Sequence, residues 1–287
     1  MTEDLHNSLN GKEPTIAIIS CYFGELPPYF HLFIHSCKYN PSIDFFIVTD
    51  QLLLDKDLPV NIKIIPIQFQ DMASYVSVRL GLMACIAFPY KMCDFKPAYG
   101  LIFQNYVCNY DFWAHGDIDV IYGNIRGFMT TELLNDHDII SVRPDWLPGC
   151  FVLFRNNVQM NNLYKNSTDY KRVFSSEKHF CFDETNFAHD EFSAGKPYNE
   201  CVTEIDSMTH VVARLSATKQ IRAFFDLYII EGLPGQLTWK KGVLTFKSQF
   251  EIMLYHMIHF KNVYDFSLLG QTLPDRFRIT RSVILKY

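Results

Sequence analysis

Apolar positions in the N-terminal half fall into two alternating kinds of run. Short, continuous, β-rich runs occur at 15–21, 43–49 and 62–67. Stretches with helical spacing separate some of them. Uninterrupted apolar runs of this length suit strands buried on both faces, and their alternation with helices predicts an α/β fold with a largely parallel sheet. Between the first two strands, Phe30, Phe33, Ile34 and Cys37 share one helical face, and the Pro27-Pro28 pair stands at the start, where a missing amide proton does no harm. The chain therefore opens with a β-α-β unit. A second helix is expected from about Asp71 to Phe88 and a third from about Pro97 to Val107.

Further along, residues 109–115 form a short apolar strand that runs directly into Gly116-Asp117-Ile118-Asp119. A helix is predicted over 125–134, strands over 138–142 and 150–154, and a helix over 156–165. Residues 166–222 read as polar and irregular, the kind of segment that shapes a binding surface. The tail returns to a strand at 226–231, a hairpin over 237–246 turning at Lys240 to Gly242, and an apolar, histidine-bearing segment at 251–261.

Composition narrows the class. Of the 287 residues 48% are hydrophobic and 20% charged, enough apolar material for a sizeable core. A net charge of -5 and the absence of any basic block leave no electrostatic footprint for nucleic acid, which is not expected as a partner. The eight cysteines include no C-x-x-C pair and most sit in apolar runs, which suits reduced, buried thiols and a cytoplasmic setting. No apolar stretch reaches spanning length, so any membrane association would be peripheral, at the inner face. Residues 1–13 read as a flexible leader and 14–287 as one domain, with 14–125 the first half and 126–287 the second.

The chemistry centres on Asp117 and Asp119. A bare D-x-D string is common, but this pair ends a buried strand and precedes the apolar Val120-Ile121-Tyr122, where two uncompensated carboxylates would be costly. Acids at the carboxyl end of a sheet strand also sit where open α/β sheets bind ligands. Their oxygens suit Mn2+ or Mg2+ with open positions for diphosphate oxygens. Asp50, ending the second strand, is placed to meet a base or ribose. Asp183 and Glu184 are the candidates for a base that takes an acceptor proton, with Asp190 and Glu191 behind them. His31 and His35 stand at i, i+4 without the glutamate of a zinc-protease helix and read as packing residues. A phosphatase of the haloacid-dehalogenase type also places D-x-D after a strand, but there the motif lies on the first strand and is followed by Thr or Val where this chain has Ile121.

The spans YKMCDFKPAYG at 90–100 and YDFWAHGDIDVIYGNI at 110–125 resemble bacterial GT-A-type glycosyltransferases of surface-polysaccharide biosynthesis. Ala114 stands where that pattern has a smaller residue before the histidine. The resemblance implies a GT-A, Rossmann-like fold with a mixed central sheet flanked by helices. It implies a hexosyltransferase-type enzyme that uses a nucleotide-sugar, a UDP-sugar in the favoured case, and a glycan or lipid-linked saccharide acceptor. In that scheme Asp94, Lys96 and Asp117 contact the nucleotide, while Asp117, Asp119 and His259 hold the metal, His259 being chosen from the HFK run at 259–261 over His256. The first half would bind the donor and the second the acceptor. The alternative is an inactive carbohydrate- or nucleotide-sugar-binding protein on the same fold.

Overall fold

A computed structural model describes residues 12–53, 58–270 and 273–287, so the expected leader falls outside them except for its last two positions. The strand that begins the fold, β1 (Ile16–Cys21), lies near the centre of a seven-stranded mixed sheet. The helix α1 (Phe30–Lys38) returns the chain to β2 (Ile43–Thr49), and β3 (Ile62–Pro66) follows; all three strands are parallel. From β3 the chain passes through α2 (Phe69–Leu80) and back to the other side of β1 as β4 (Phe112–Gly116), also parallel. Past β4 come the short β5 (Val120–Tyr122), then β6 (Ile139–Ser141), β7 (Phe151–Arg155) and β8 (Ala223–Phe225). The sheet order is β3-β2-β1-β4-β7-β6-β8, with β7 antiparallel to both β4 and β6. The mixed α/β architecture with helices flanking a central sheet is the one expected from the sequence.

Period-two alternation sorts the sheet's side chains into two cores. Ala17, Ile19, Phe46, Val48 and Trp113 point into one, and Ile16, Ile18, Phe45, Ile47 and Phe112 into the other. Both faces are covered, which is why the strands read as unbroken apolar runs. Phe30, Phe33 and Cys37 of α1 pack into the second core, while Leu32 on its other side meets a third.

That third core belongs to the C-terminal part. There β9 (Ile229–Glu231), β10 (Leu237–Lys240), β11 (Val243–Phe246), β12 (Phe250–Ile252), β13 (Leu254–His256), β14 (Arg276–Ile279) and β15 (Ile284–Lys286) form two further sheets with β5. One has the order β12-β11-β10-β14-β15; the other is β5-β13-β9. The expected hairpin is β10-β11, turning at Lys241-Gly242, both at positive φ. At Gly123, where the chain leaves β5, a Cβ would lie 2.7 Å from the carbonyl oxygen of Ile252, so only glycine lets the two segments close.

Several expected boundaries moved. The helix α2 stops at Leu80, because Gly81 takes a left-handed conformation and its amide caps Ser77, so the expected extension to Phe88 is not helical. The helix expected from Pro97 is instead a 3-10 segment, Pro89–Ala98, followed by short turns at Tyr99–Ile102 and Gln104–Val107. The segment 125–134 divides into Ile125–Phe128 and Thr131–Asp136, each with its own side-chain cap, from Asn124 and Thr130. In the supposedly irregular 166–222 lies a ten-residue helix, Met208–Ala217, which buries Met208, Val211, Val212 and Leu215.

Candidate functional site

Sheet topology creates the site. Because β1 continues to β2 on one side while β4 lies on the other, the chains leaving β1 at Tyr22 and β4 at Asp117 part from each other, opening a crevice at the carboxyl ends of the strands. A cavity of about 390 Å³ occupies it. Tyr22, Asp117, Asp119, Asp183, His256 and Lys261 are among the residues lining it.

Asp119 and His256 meet through strand pairing. Antiparallel β13 sets His256 opposite Val120, and the Met257 amide donates to the Asp119 carbonyl at 2.9 Å. His256 Nε2 is thereby 3.5 Å from Asp119 Oδ2, while Nδ1 is held at 2.8 Å by Glu231 Oε1 from the paired strand β9. Asp117, Asp119 and His256 each bring a ligand atom within 4.8 Å of the others. Two hard oxygens with an imidazole whose far nitrogen is pinned by a carboxylate make a donor set that fits Mn2+ or Mg2+.

The register sets His256 beside Asp119, and not His259, the choice made from the sequence. His259 is exposed, three residues past the end of the strand, in the turn that leads into the 3-10 segment Phe260–Asn262. His256, passed over for His259 in the sequence, faces the acids because strand pairing turns its side chain inward.

Two lysines hold the acids. Lys96 Nζ is 2.7 Å from Asp117 Oδ1, donates to the Gly149 carbonyl at 2.9 Å and lies 3.6 Å from Asp183. Lys261 Nζ donates to Asp119 Oδ2 at 2.6 Å. Burial alone would raise Asp119, but His256 and Lys261 hold it well below the usual carboxylate range. For Asp117 burial prevails over the pull of Lys96, with the charge of Asp119 adding to the rise. His256 is raised well above its ordinary value, against its burial, by Cys150 and by the acids that bond it.

On the facing wall, Asp183 and Glu184 lie side by side in different states. Glu184 is saturated: Oε1 accepts the Gly149 amide and Oε2 takes His189 Nε2 at 2.7 Å, which against burial brings its pKa down to about 2. Asp183 is nearly buried and is raised well above its ordinary value by burial, which Lys96 opposes and Glu184 reinforces. A Cβ at Gly149 would fall 2.8 Å from Glu184 Oε1 and 2.9 Å from Asp183 Oδ2. Gly149→Ala is expected to push this wall into the cavity at a cost of about 1–3 kcal/mol in stability, checked by thermal melting.

Two other expected ligands serve the fold. Asp94 is fully buried, pairs with Lys91 at 2.8 Å, and accepts the amides of Phe180 and Phe182. Lys91 in turn donates to the carbonyls of Val173 and Lys178. The pair therefore clamps the segment that carries Asp183, and Asp94 does not reach the cavity. Asp50 accepts the Gly24 amide at 2.9 Å, tying the loop after β1 to the end of β2, and is likewise outside the cavity lining. Glu231 and Gly149 carry no signal in the sequence, and Lys261 enters there only as the end of the HFK run; the alternation that aims Glu231 and His256 at each other exists only across strands from distant parts of the chain.

The profile of DUF6625, a family of unknown function, matches residues 18–287. No curated protein sequence matches the chain. Among solved structures, the galactosyltransferase LgtC in complex with donor and acceptor sugar analogues is similar at 10% identity over 75% of each chain, TM-score 0.37. Mouse xyloside xylosyltransferase 1 is similar at 10% identity over 84% of this chain and 97% of its own, TM-score 0.43. The glycosyltransferase GlyE of Streptococcus pneumoniae TIGR4 is similar at 11% identity over 75% and 46%, TM-score 0.34. Likeness at this level carries no argument about what this chain binds or transfers. Among the described residues no helix is long and apolar enough to cross a membrane.

Proposed function

The chain belongs to that family of unknown function, and from this premise we propose that it is a metal-dependent glycosyltransferase. It would move a hexose from a nucleotide-sugar donor, a UDP-sugar in the favoured case, to a hydroxyl of a glycan or lipid-linked saccharide in surface-polysaccharide biosynthesis. One observation carries the reading: Asp117, Asp119 and His256 Nε2 converge at the carboxyl end of β4, in a crevice that also holds two ammonium groups. Acids that seat a divalent ion beside cations suit a ligand with a diphosphate, which needs both.

In this reading Asp117, Asp119 and His256 hold Mn2+ or Mg2+, with Glu231 fixing the tautomer and angle of the His256 ring. When bound, the ion supplies Lewis-acid stabilisation of the departing nucleoside diphosphate. Lys261, with 30% of its side chain exposed, is free to turn from Asp119 toward a phosphate oxygen. Lys96, 5% exposed and bonded on two sides, positions Asp117 and the Gly149 loop. Tyr22, Tyr29 and Tyr90 offer flat faces to a base or sugar ring.

Of the two acids on the facing wall, Asp183 fits the base that takes the acceptor proton. Among the described residues no hydrogen bond occupies its carboxylate and its one ion contact is at 3.6 Å, whereas both oxygens of Glu184 are engaged. The cavity draws on both halves of the chain: Tyr22 and the aspartates come from 14–125, and Asp183, His256 and Lys261 from 126–287, so the donor side itself would take residues from each.

The test is a thermal-shift series with UDP-, GDP-, CMP- and dTDP-sugars, with and without Mn2+. At about 100 times its Kd a true donor adds about 2.7 kcal/mol. Stabilisation by at least one donor only when Mn2+ is present is the expected result, lost in His256→Ala and retained in His259→Ala. A flat response to all four sugars with metal would sink the proposal. Metal-dependent donor binding with no transfer or hydrolysis would favour the non-catalytic binding protein instead.

A further inference from the structure

On the wall opposite Asp119 lies a second group of ligand-bearing side chains. Cys181 Sγ is 3.2 Å from Glu184 Oε2 and 3.8 Å from His189 Nε2, and that nitrogen is 2.7 Å from Oε2. All three lie within 4.8 Å of one another.

A tight loop assembles them. Cys181 is left-handed at φ 51°, its carbonyl accepts the amides of Glu184 and Asn186, and Asn186 and Phe187 are also at positive φ. His189 then opens a helical turn, its ring against Trp146 with centroids 4.7 Å apart. Glu184 is braced from behind by the Gly149 amide on Oε1, so that Oε2 faces the thiol and the imidazole.

A nucleophilic Cys-His-acid relay would use one ring nitrogen for the thiol and the other for the acid, so that the ring passes the proton between them. Here the thiol and the carboxylate both meet Nε2. A sulfur, a nitrogen and an oxygen within 4.8 Å of one another are close enough to share one cation.

We propose that Cys181, Glu184 and His189 bind Zn2+, at a site separate from the oxygen-rich one at Asp117 and Asp119. A thiolate-containing set selects zinc over Mn2+ and Mg2+, and three protein ligands leave a fourth tetrahedral position. Cys181 and Glu184 line the cleft, and the His189 side chain is 34% exposed, so the ion has a path in and the fourth position opens toward the cleft. Cys181 would bind as the thiolate, so loading the site releases the thiol proton. Zinc at this point would pin the loop 181–189 to Gly149 and so fix the wall that carries Asp183. The inference stands whether or not the chain transfers a sugar.

Co2+ is the probe, because a bound thiolate gives a charge-transfer band in the near ultraviolet that oxygen and nitrogen ligands do not. Titration of the full chain with Co2+ is expected to give one thiolate-bound ion per chain, displaced by one equivalent of Zn2+. The band should persist in Asp119→Ala and in Cys150→Ser, the latter a control because Cys150 stands beside Glu231 and His256. It should vanish in Cys181→Ser. His189→Ala, a partly exposed change that spares the core, should weaken Co2+ by at least about 10–100-fold, since losing a ligand costs no less than losing its second-shell support. No thiolate band in the wild-type chain, a band that survives Cys181→Ser, or unchanged affinity in His189→Ala would each overturn the proposal, leaving the three side chains as a hydrogen-bonded cluster.

Discussion

Asp119→Asn is expected to lower sugar transfer by roughly 10³-fold, the equivalent of about 4 kcal/mol of lost transition-state stabilisation, and to remove its dependence on Mn2+. The reasoning begins with the side chain's partners. Asp119 Oδ2 receives Lys261 at 2.6 Å and faces His256 Nε2 at 3.5 Å, in a position that is 7% exposed. Its charge is what allows a histidine and a lysine to stand beside each other there. The amide has nearly the same shape but no charge, so the ligand set loses an anion while the backbone bond from Met257 remains. Initial rates of nucleoside diphosphate release across a Mn2+ titration, beside melting curves to show that the variant is folded, make the measurement. A folded variant within tenfold of the wild-type rate, with the same metal dependence, would remove Asp119 from the site.

Asp94→Ala should have the largest effect on stability, about 3–5 kcal/mol, because it leaves the Lys91 ammonium buried without its counter-ion. Two backbone amides, of Phe180 and Phe182, lose their acceptor in the same step. At about 2–4 °C per kcal/mol for a chain of this size, the midpoint should fall by on the order of 10 °C. Lys91→Met combined with Asp94→Leu removes both charges and should recover only part of the loss, since the amides stay unpaired. Urea unfolding of the wild type and the two variants measures this. A single variant that melts with the wild type but has lost donor affinity would return Asp94 to the nucleotide-binding role that the sequence suggested for it.

The contrast between Asp94 and Lys96 marks how far the sequence carries. Both lie in one 3-10 segment, two residues apart, and both read as polar positions near a proline. Lys91 and Asp94 turn inward to the segment 173–182, while Lys96 turns to Asp117 and Gly149. Nothing in spacing separates them, because the segment follows no single period and Pro97 interrupts it. The helix Met208–Ala217 is hidden for a related reason: after Met208 its first turns hold Thr209, His210, Val211 and Val212, residues of weak helical preference, and burial of its apolar face outweighs that preference.

What the sequence determined by itself was the alternation of strands and helices and the position of Asp117 and Asp119 at a strand's end. Both follow from local rules: a strand buried on two faces must be continuously apolar, and two acids set into such a run need compensation. Tertiary structure decided what compensates them. His256 rather than His259 faces Asp119 because antiparallel pairing with β5 sets the side chain's direction, and Glu231 reaches that ring only because β9 lies along β13. Asp183 and Glu184, adjacent in the chain, take different states because Gly149 and Lys96 come to them from separate segments. Side-chain direction and charge environment are properties of the packed neighbours, and those neighbours are distant in sequence.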